Sequence, residues 1–335
     1  MLSKKNFNRV NIIAEIGVNH NGNINIAKKL IKAAKLCGAD YAKFQIYSTD
    51  HIVTEEAKKA AYQIKSMGLK ISQKKMLEKY CLSEKQIEVL YNYCKKIGIK
   101  FLASVFDEKS VHLLKKFSVD YIKIPSSEIT NYFLLNEINK VFNVPIIFST
   151  GMSNFNEINQ AYKILKKNNK NIVPMYCVSS YPTKINEINL KKIFQFKKKF
   201  SNFGFSDHTA TNEVSIICVY HGAKFIEKHL TYNRKARGPD HAASLNPHQF
   251  KKFVNSIRNT EKLIKNKKVR DNENKNIKYV RKYLVAKKEI LKGERFNKNN
   301  LTCKRSGGGL SPFLFEKIKN KKSKKKYKID QIIYI

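Results

Sequence analysis

The sequence FGFSDHTATNEVSIICVYHGAKFIEKHLTYNRKARGPDHAASLNP, residues 203–247, decides how the rest of the chain is interpreted. FGFSDH and AKFIEKH are short apolar runs with polar ends, and a helix-length segment separates them, so the pattern predicts two strands joined by a helix. Because residues two apart on a strand share a face, Glu227 and His229 point the same way, as do Ser206 and His208. Two imidazoles and a carboxylate could therefore converge on one ion, although a single strand histidine is more often a core residue than a ligand.

Six further apolar runs precede this pair, and segments with helical periodicity lie between them. The six are NIIAEIGV at 11–18, YAKFQI at 41–46, IKFLASV at 99–105, DYIKIP at 120–125, PIIFST at 145–150 and IVPMYCV at 172–178. One helical segment ends at Gly38, and another begins at Ser83 and ends at Gly98, which are residues typical of helix caps. Eight strands alternating with helices over about 250 residues predict a parallel (β/α)8 TIM barrel.

Polar side chains stand at the carboxyl ends of these strands, where active sites of such barrels lie. Lys43 and Lys123 interrupt otherwise apolar runs, and lysine is seldom buried unless it meets an anion. With the hydroxyls of Ser104, Ser126 and Ser149, the two lysines predict a site for a small phosphate or carboxylate. Taken without the lysines, the serines would be interpreted simply as the ends of strands that meet water.

Composition narrows the choice of partners. The 335 residues carry a formal net charge of +40, but 58 of the 66 basic residues are lysines spread along the chain. Proteins that recognise bases tend to cluster arginine on one surface, so we expect an anionic small-molecule substrate and no specific nucleic-acid partner. The six cysteines form no CxxC pair, which favours reduced thiols. No apolar run has the length of a signal peptide or a membrane span, so we expect a cytoplasmic protein with no membrane partner.

The composition changes near residue 264, which predicts a second domain. We expect the barrel to occupy residues 1–263, a charged, asparagine-rich linker to occupy 264–280, and a small β-rich domain to occupy 281–335. Within the barrel, the connection 51–98 is the longest. We expect its first part to cross the mouth of the barrel, with a solvated surface loop as the alternative.

The motifs along the chain resemble those of the sialic acid synthase family. They are EIGVNHNG at 15–22, KFQ at 43–45, KIPSSEITN at 123–131, STGM at 149–152, YCVSSYPT at 176–183, GFSDHT at 204–209, EKHLT at 227–231 and GPDHAASLNP at 238–247. VAKKEILKGE and NLTCKRSGGGLSP in the last 55 residues resemble the antifreeze-like (SAF) domain of that family. The likeness covers almost the whole chain, in the same order.

This resemblance implies an enzyme that condenses phosphoenolpyruvate with an N-acetylmannosamine-type sugar and water. The products would be N-acetylneuraminate, which is a nine-carbon 2-keto acid, and phosphate. The resemblance also implies that His208 and His229 hold a Mn²⁺ or Mg²⁺ ion, which would polarise the sugar aldehyde. Arg305 would reach the sugar of a partner subunit from the C-terminal domain, which implies a domain-swapped homodimer.

Further residues match positions of the family's site. Glu15, Glu227 and Asp240 match catalytic carboxylates, and Glu15 is a candidate for proton handling. The residues matched to substrate binding are Lys43, Ser104, Lys123, Ser126, Glu128, Ser149, Ser179, Tyr181, Asp207 and Arg305. Ser179 departs from the asparagine that some members carry there.

The acceptor sugar stays open at this point. N-acetylmannosamine would give N-acetylneuraminate, whereas a 2,4-diacetamido-2,4,6-trideoxyhexose would give legionaminate or pseudaminate. KIPSSEITN and GPDHAASLNP resemble the sialic and legionaminic branches more than the pseudaminic one. A carbohydrate-binding protein without catalysis is the alternative from another functional class, and it would release no phosphate with any sugar.

Overall fold

A computed structural model describes residues 9–68, 71–168, 171–265 and 271–334 of the chain. The chain divides into two compact units after Lys265. In the first unit, eight parallel strands form a closed barrel in sequence order, with β8 paired to β1. The strands are β1 Asn11–Gly17, β2 Tyr41–Ile46, β3 Lys100–Val105, β4 Ile122–Ile124, β5 Ile146–Ser149, β6 Ile172–Cys177, β7 Gly204–Asp207 and β8 Phe225–His229. The predicted (β/α)8 barrel is confirmed.

Helices separate the strands and pack around them. They are α1 Ile24–Cys37, α2 Thr49–Ile52, α3 Ala61–Met67, α4 Gln73–Tyr80, α5 Glu84–Ile97, α6 Glu108–Lys115, α7 Tyr132–Val141, α8 Phe155–Lys166, α9 Leu190–Lys199, α10 Glu213–Tyr220 and α11 Pro247–Lys265. The predicted caps are confirmed: Gly38 and Gly98 end α1 and α5 in the left-handed conformation. Ser83 accepts a hydrogen bond from the backbone of Gln86 at the start of α5. Among the described helices, none is both long and apolar enough to cross a bilayer.

The interior of the barrel contains two layers of side chains. The lower layer is apolar and consists of Ile13, Tyr41, Leu102, Ile147, Val173, Met175 and Phe225. Two residues further along the strands, the side chains that share the same face are polar, because strand residues alternate in direction. We call these the charged layer: Glu15, Lys43, Lys123 and Glu227, with the hydroxyls of Ser104, Ser149 and Ser206. The lower layer thus closes the barrel beneath the charged layer.

The long connection between β2 and α5 lies at the carboxyl end of the barrel. Met67 of α3 and Met76 and Tyr80 of α4 pack with Val18, which directly follows β1. The ring of Tyr62 in α3 stacks on Tyr181, with 5.0 Å between centroids. The connection therefore reaches the barrel mouth, as expected from the sequence.

The second unit has a small core of its own. Helix α12 spans Asp271–Val280, and strands β9 Lys282–Ala286 and β10 Leu301–Arg305 form an antiparallel pair, followed by the short helix α13 Phe315–Ile318. The core residues are Leu284, Ala286, Ile290, Phe296, Leu301, Ile318, Tyr327 and Ile333. Of the predicted linker 264–280, the described part is helical, and 266–270 lies outside the described residues. The antifreeze-like identity of this unit stays a prediction.

Candidate active site

The charged layer is built around Lys43, whose ammonium group lies among carboxylates. Lys43 Nζ is 3.2 Å from Glu15 Oε2 and 3.2 Å from Glu227 Oε2. It also donates to Ser104 Oγ at 3.1 Å. Neighbouring strands supply these groups, with Glu15 and Lys43 in register on β1 and β2. The buried charge of Lys43 is therefore compensated by Glu15 and Glu227 of the protein itself, and the predicted site for a small phosphate or carboxylate stays a prediction.

Lys123 forms the other half of the layer. It is 1 % exposed, and its Nζ donates to Ser149 Oγ at 2.5 Å and lies 3.7 Å from Glu227 Oε2. Ser206 Oγ donates to Glu227 Oε1 at 2.9 Å. Glu227 of β8 thus accepts from a hydroxyl and faces two ammonium groups, so β2, β4 and β7 each direct a side chain to this carboxylate.

Burial and charge shift the pKa values of this layer. Burial raises the pKa of Glu15 to about 7, against the opposing effect of Lys43. Burial lowers the pKa of Lys123 to about 8, because Glu227 compensates only part of the desolvation. Burial alone would raise the pKa of Glu227, but Lys123 and Lys43 outweigh it and hold this pKa well below its usual range. Burial alone would lower the pKa of Lys43, but Glu15 and Glu227 outweigh it and raise this pKa. Of the two carboxylates in the charged layer, Glu15 is therefore the one whose pKa lies near neutral pH.

Two histidines lie at the carboxyl ends of β7 and β8. The rings of His208 and His229 are 5.3 Å apart between centroids, and both residues are 4 % exposed. Tyr181 stacks on His208 at 4.2 Å and meets the edge of His229 at 5.8 Å. Tyr62 covers the other side of Tyr181. Four rings, from β8 and from the connections after β2, β6 and β7, thus pack against one another at the barrel mouth.

The nitrogens of both rings are suited to a cation. His208 Nδ1 donates to the carbonyl of Val178 at 2.7 Å, which leaves the Nε2 lone pair for a ligand. Among the described buried side chains, His229 Nδ1 is one of the polar atoms without a hydrogen-bond partner. Burial and the neighbouring His208 hold the pKa of His229 well below its usual value, so this ring is neutral. Burial alone would lower the pKa of His208, but the neighbouring Cys177 outweighs burial and raises this pKa to about 9. A cation therefore has to displace a proton from this ring.

Asp240 brings a third carboxylate to the mouth. Its Oδ2 is 3.7 Å from His229 Nδ1. A side chain at Gly17 would lie within 3.4 Å of Asp240 Oδ2 and within 2.9 Å of Glu15 Oε1, which shows that both carboxylates border this glycine. Burial raises the pKa of Asp240 to about 6. In the described part of the chain, no group of three or more histidine, cysteine or acidic side chains has the geometry of a complete metal site. The protein therefore offers two imidazoles and nearby carboxylates, and water or substrate would complete the coordination of an ion.

The rim next to β4, β5 and β6 carries hydroxyl groups. Ser126 Oγ accepts a hydrogen bond from the backbone of Gly151 at 3.0 Å. A Cβ atom at Gly151 would lie 2.1 Å from Ser179 Oγ and 3.0 Å from Ser126 Oγ, so a side chain there would have to displace the Ser179 hydroxyl. Glu128 is further out and accepts from Asn131 Nδ2 at 2.8 Å. The structure thus brings Ser126 and Ser179 together and leaves Glu128 at the edge.

Asp207 departs from the predicted substrate-binding set. Its carboxylate is fully buried and points outward from the barrel, where it meets Lys228 Nζ at 3.0 Å and Ser215 Oγ of α10 at 2.6 Å. The reason is the alternation of the strand: His208 faces the interior, so its neighbour faces the helices. Arg305 ends β10 in the second unit, and its predicted role over a partner's sugar stays a prediction.

Three residues at the site were absent from the predicted set. Gln45 Nε2 donates to Glu15 Oε1 at 3.2 Å, and Cys177 Sγ lies 3.8 Å from His208 Nδ1. Both follow from strand alternation, since Gln45 is two residues after Lys43 and Cys177 two after the interior Met175. Tyr62 comes from the mouth connection, and sequence offers no signal for its stacking partner. The site is therefore larger than strand-end polarity alone indicates.

The sequence of this chain matches those of known proteins along most of its length. The NeuB family matches at residues 30–269. N,N'-diacetyllegionaminic acid synthase of Campylobacter jejuni is 44 % identical over 96 % of this chain and 98 % of its own length. Mouse N-acetylneuraminate-9-phosphate synthase is 36 % identical over 76 % of this chain and 70 % of its own. The crystal structure of an N-acetylneuraminic acid synthetase from Leptospira borgpetersenii, in complex with citrate, superimposes with a TM-score of 0.69 at 30 % identity, covering 82 % of this chain and 92 % of that one. The chain belongs to the NeuB family, the sialic acid synthase family that its motifs resemble.

Proposed function

We propose that this protein condenses phosphoenolpyruvate with 2,4-diacetamido-2,4,6-trideoxymannose and water to give N,N'-diacetyllegionaminate and phosphate. The structural observation that carries the proposal is the pair of buried lysines directly beneath two histidines in one barrel mouth. The choice of acceptor rests on the 44 % identity to the Campylobacter jejuni legionaminic acid synthase over nearly the whole chain. N-acetylmannosamine, which would give N-acetylneuraminate, is the second candidate, because the mouse relative named for N-acetylneuraminate 9-phosphate is 36 % identical.

The positive charge needed to bind phosphoenolpyruvate depends on the protonation of Glu15 and on a cation. Lys43 and Lys123 together balance Glu15 and Glu227 when all four are ionised, so the layer has no net charge to offer an anion. Phosphoenolpyruvate carries roughly three negative charges near neutral pH, counting its phosphate and carboxylate. Protonation of Glu15, whose pKa is raised to about 7, frees Lys43 for the ligand. A divalent cation near the histidines would supply the remaining positive charge.

The residues of the chain would hold the donor and manage its proton. Lys43 and Lys123 bind the phosphate and carboxylate, with Ser104 and Ser149 as further donors, and so fix C3 of the enol toward the mouth. C3 forms a bond to the aldehyde carbon of the sugar, whose oxygen takes up a proton. Water adds to the cationic C2 and releases a proton, and the tetrahedral intermediate then loses phosphate to give the 2-keto acid. Glu15 lies where it can hold a proton in this sequence.

We assign a Mn²⁺ or Mg²⁺ ion to His208 and His229. The fit rests on His208, whose Nδ1 is taken by Val178 so that Nε2 would be the ligand atom, on the unpartnered Nδ1 of His229, and on the Asp240 carboxylate 3.7 Å from that nitrogen. When bound, such an ion acts as a Lewis acid toward the sugar aldehyde. Tyr181 keeps the His208 ring in place by stacking, and together with Glu128, Ser126 and Ser179 it would line the path of the sugar.

The first experiment measures phosphate release from phosphoenolpyruvate in the presence of Mn²⁺, with the two candidate sugars in parallel and a chelator control. We expect chelator-sensitive release, faster with the diacetamido sugar. His208→Ala and His229→Ala should abolish release while the circular dichroism spectrum stays native. His248→Ala, at an exposed position of α11, is the matched control and should keep full activity. Full activity in either site variant contradicts the cation assignment, and absence of release with both sugars from folded wild-type protein contradicts the proposed reaction.

We also propose a domain-swapped homodimer in which Arg305 contacts the sugar of the partner's site. The proposal rests on the family motif that contains Arg305, in NLTCKR at the end of β10. Complementation tests it: Arg305→Ala and His229→Ala are each inactive alone, but a mixed dimer has one site with intact histidines and a partner arginine. Activity should reappear on mixing. A mixture that stays inactive, with subunit exchange verified by a tag, contradicts the swapped arrangement.

A further inference from the structure

A second buried ion pair lies behind the histidines, on the outer face of the barrel. Asp207 Oδ2 and Lys228 Nζ are 3.0 Å apart, and both side chains are 0 % exposed. The two residues are Cα partners on β7 and β8. They take no part in the charged layer, because strand alternation directs them toward the surrounding helices.

A dense set of hydrogen bonds satisfies this pair. Asp207 Oδ1 accepts from both the backbone and the hydroxyl of Thr209, each at 2.8 Å, and Oδ2 accepts from Ser215 Oγ at 2.6 Å. Lys228 Nζ donates to the carbonyls of Thr209 at 2.5 Å and Thr211 at 3.1 Å. The pair therefore ties the end of β7, the turn after it, helix α10 and strand β8 into one unit.

Each member of the pair directly precedes one of the two histidines. Asp207 is followed by His208 at the end of β7, and Lys228 is followed by His229 at the end of β8. A residue that points outward leaves its neighbour pointing inward, so anchoring Asp207 and Lys228 against each other aims both imidazoles into the mouth. The hydrogen bond from the backbone of Thr183 to the carbonyl of His208, at 2.9 Å, holds the same turn from the side of β6.

A stabilising role alone accounts poorly for this arrangement. Desolvation of two charges offsets most of their attraction, and apolar residues of similar volume often stabilise a fold as well or better. Buried ionic groups are best attested as devices that set register. Here a slip of one residue between β7 and β8 would direct one histidine outward.

We propose that the Asp207–Lys228 pair is a positioning device that sets the distance between His208 and His229 and thereby the affinity of the site for a divalent cation. The inference rests on the proposed cation site. Neither residue contacts the substrate or the ion, so both act through the histidine that follows.

The test compares two conservative substitutions in ion pairs at opposite ends of the barrel. Asp207→Asn keeps the shape of the side chain and removes its charge. Asp40→Asn is the matched control at the amino-terminal end of the barrel, where Asp40 Oδ2 pairs with Arg258 at 2.8 Å and accepts from the backbone of Ile12 at 2.8 Å. The full-length proteins are titrated with Mn²⁺, with free Mn²⁺ followed by electron paramagnetic resonance, and their melting temperatures are measured by calorimetry.

We expect both variants to melt at a lower temperature than the wild type. Only Asp207→Asn should weaken Mn²⁺ binding, by about 10- to 100-fold, the range found when groups that orient metal ligands are lost. The Mn²⁺ concentration for half-maximal phosphate release should rise by the same factor, and saturating Mn²⁺ should restore the KM for phosphoenolpyruvate. Ser215→Ala removes one hydrogen bond to Asp207 and, as the milder variant, should shift Mn²⁺ affinity in the same direction by less.

The outcomes separate this inference from the function it rests on. Mn²⁺ affinity within twofold of wild type in both Asp207→Asn and Ser215→Ala, with lowered melting temperatures, shows a purely structural pair and overturns the inference alone. A loss of Mn²⁺ affinity in Asp40→Asn equal to that in Asp207→Asn also overturns it. Wild-type protein that binds no Mn²⁺ overturns the cation assignment and the inference together.

Discussion

The lower layer and the charged layer occupy the same barrel strands, two residues apart, and their chemistry is opposite. Ile13, Tyr41 and Phe225 lie below, while Glu15, Lys43 and Glu227 lie two positions further along the same strands. Burial of the apolar rings stabilises the fold, whereas burial of four ionisable groups opposes it through desolvation. The comparison indicates that the lower layer stabilises the fold, whereas the charged layer opposes folding and serves binding in the proposed function, and each prediction below tests that division.

Phe225→Ala should show the largest effect and confine it to stability. The ring is 3 % exposed and contacts Tyr41 and Tyr121, so its removal leaves a cavity that should lower the free energy of unfolding by about 3–5 kcal/mol. Urea denaturation measures this, with Phe225→Leu as the smaller change. We expect the folded fraction to stay active. A variant that is as stable as wild type would show that the lower layer does not carry the fold.

Lys123→Met should instead have its main effect on activity and a smaller effect on stability. Loss of the charge that faces the donor should lower kcat/KM for phosphoenolpyruvate by about 10²- to 10³-fold, or about 2.7–4 kcal/mol in the transition state. The free energy of unfolding should change less than in Phe225→Ala, because Lys43 and Ser206 still compensate Glu227. Phosphate-release kinetics and urea denaturation together check this. Lys85→Met, at an exposed position of α5, should change neither quantity.

Glu15 should make stability depend on pH in a way the lower layer cannot. Burial raises its pKa from 4.5 to about 7, so between these pH values the folded state keeps a proton that the unfolded state has released. The contribution of Glu15 to stability is therefore greatest below pH 4.5 and declines as pH rises to 7, by about 3 kcal/mol. In Glu15→Gln this decline should be absent. Denaturation across the pH window checks it, and parallel curves for the two proteins would contradict the shift.

Gly151→Ala should give the smallest effect, at the rim above both layers. The added methyl group would lie 2.1 Å from Ser179 Oγ and so displace that hydroxyl. We expect kcat/KM to fall on the order of tenfold, since small misplacements of binding groups are costly. Met152→Gly is the control: the residue is exposed and has a φ of 63°, which glycine adopts freely. An unchanged Gly151→Ala enzyme would remove the serines from the proposed site.

Local sequence rules predicted the barrel because every strand carries its own signal. Each of the eight apolar runs overlaps a strand, and Gly38, Ser83 and Gly98 cap helices as expected. The burial of Lys43 and Lys123 was also predictable, because a residue within a buried apolar strand is buried together with it. These features depend on residues close together in the chain.

The errors and omissions have two physical origins. Asp207 was placed with the substrate residues because it stands at a strand end, although alternation excludes it once its neighbour His208 faces inward. Tyr62 was missed because its contact with Tyr181 spans distant connections, for which no local pattern exists. The second unit lacks periodicity long enough to define its fold, so only its two short strands and the turn between them were predictable.

Closure of the barrel by the lower layer also determines the route by which small molecules reach the charged layer. Tyr41 and Phe225 fill the described barrel beneath Lys43, so small molecules enter and leave past the rim. In the proposed reaction, phosphoenolpyruvate would therefore bind on Lys43 and Lys123 first, and the sugar would bind second, above the donor. In that reaction the phosphate, bound deepest, would leave after the keto-acid product.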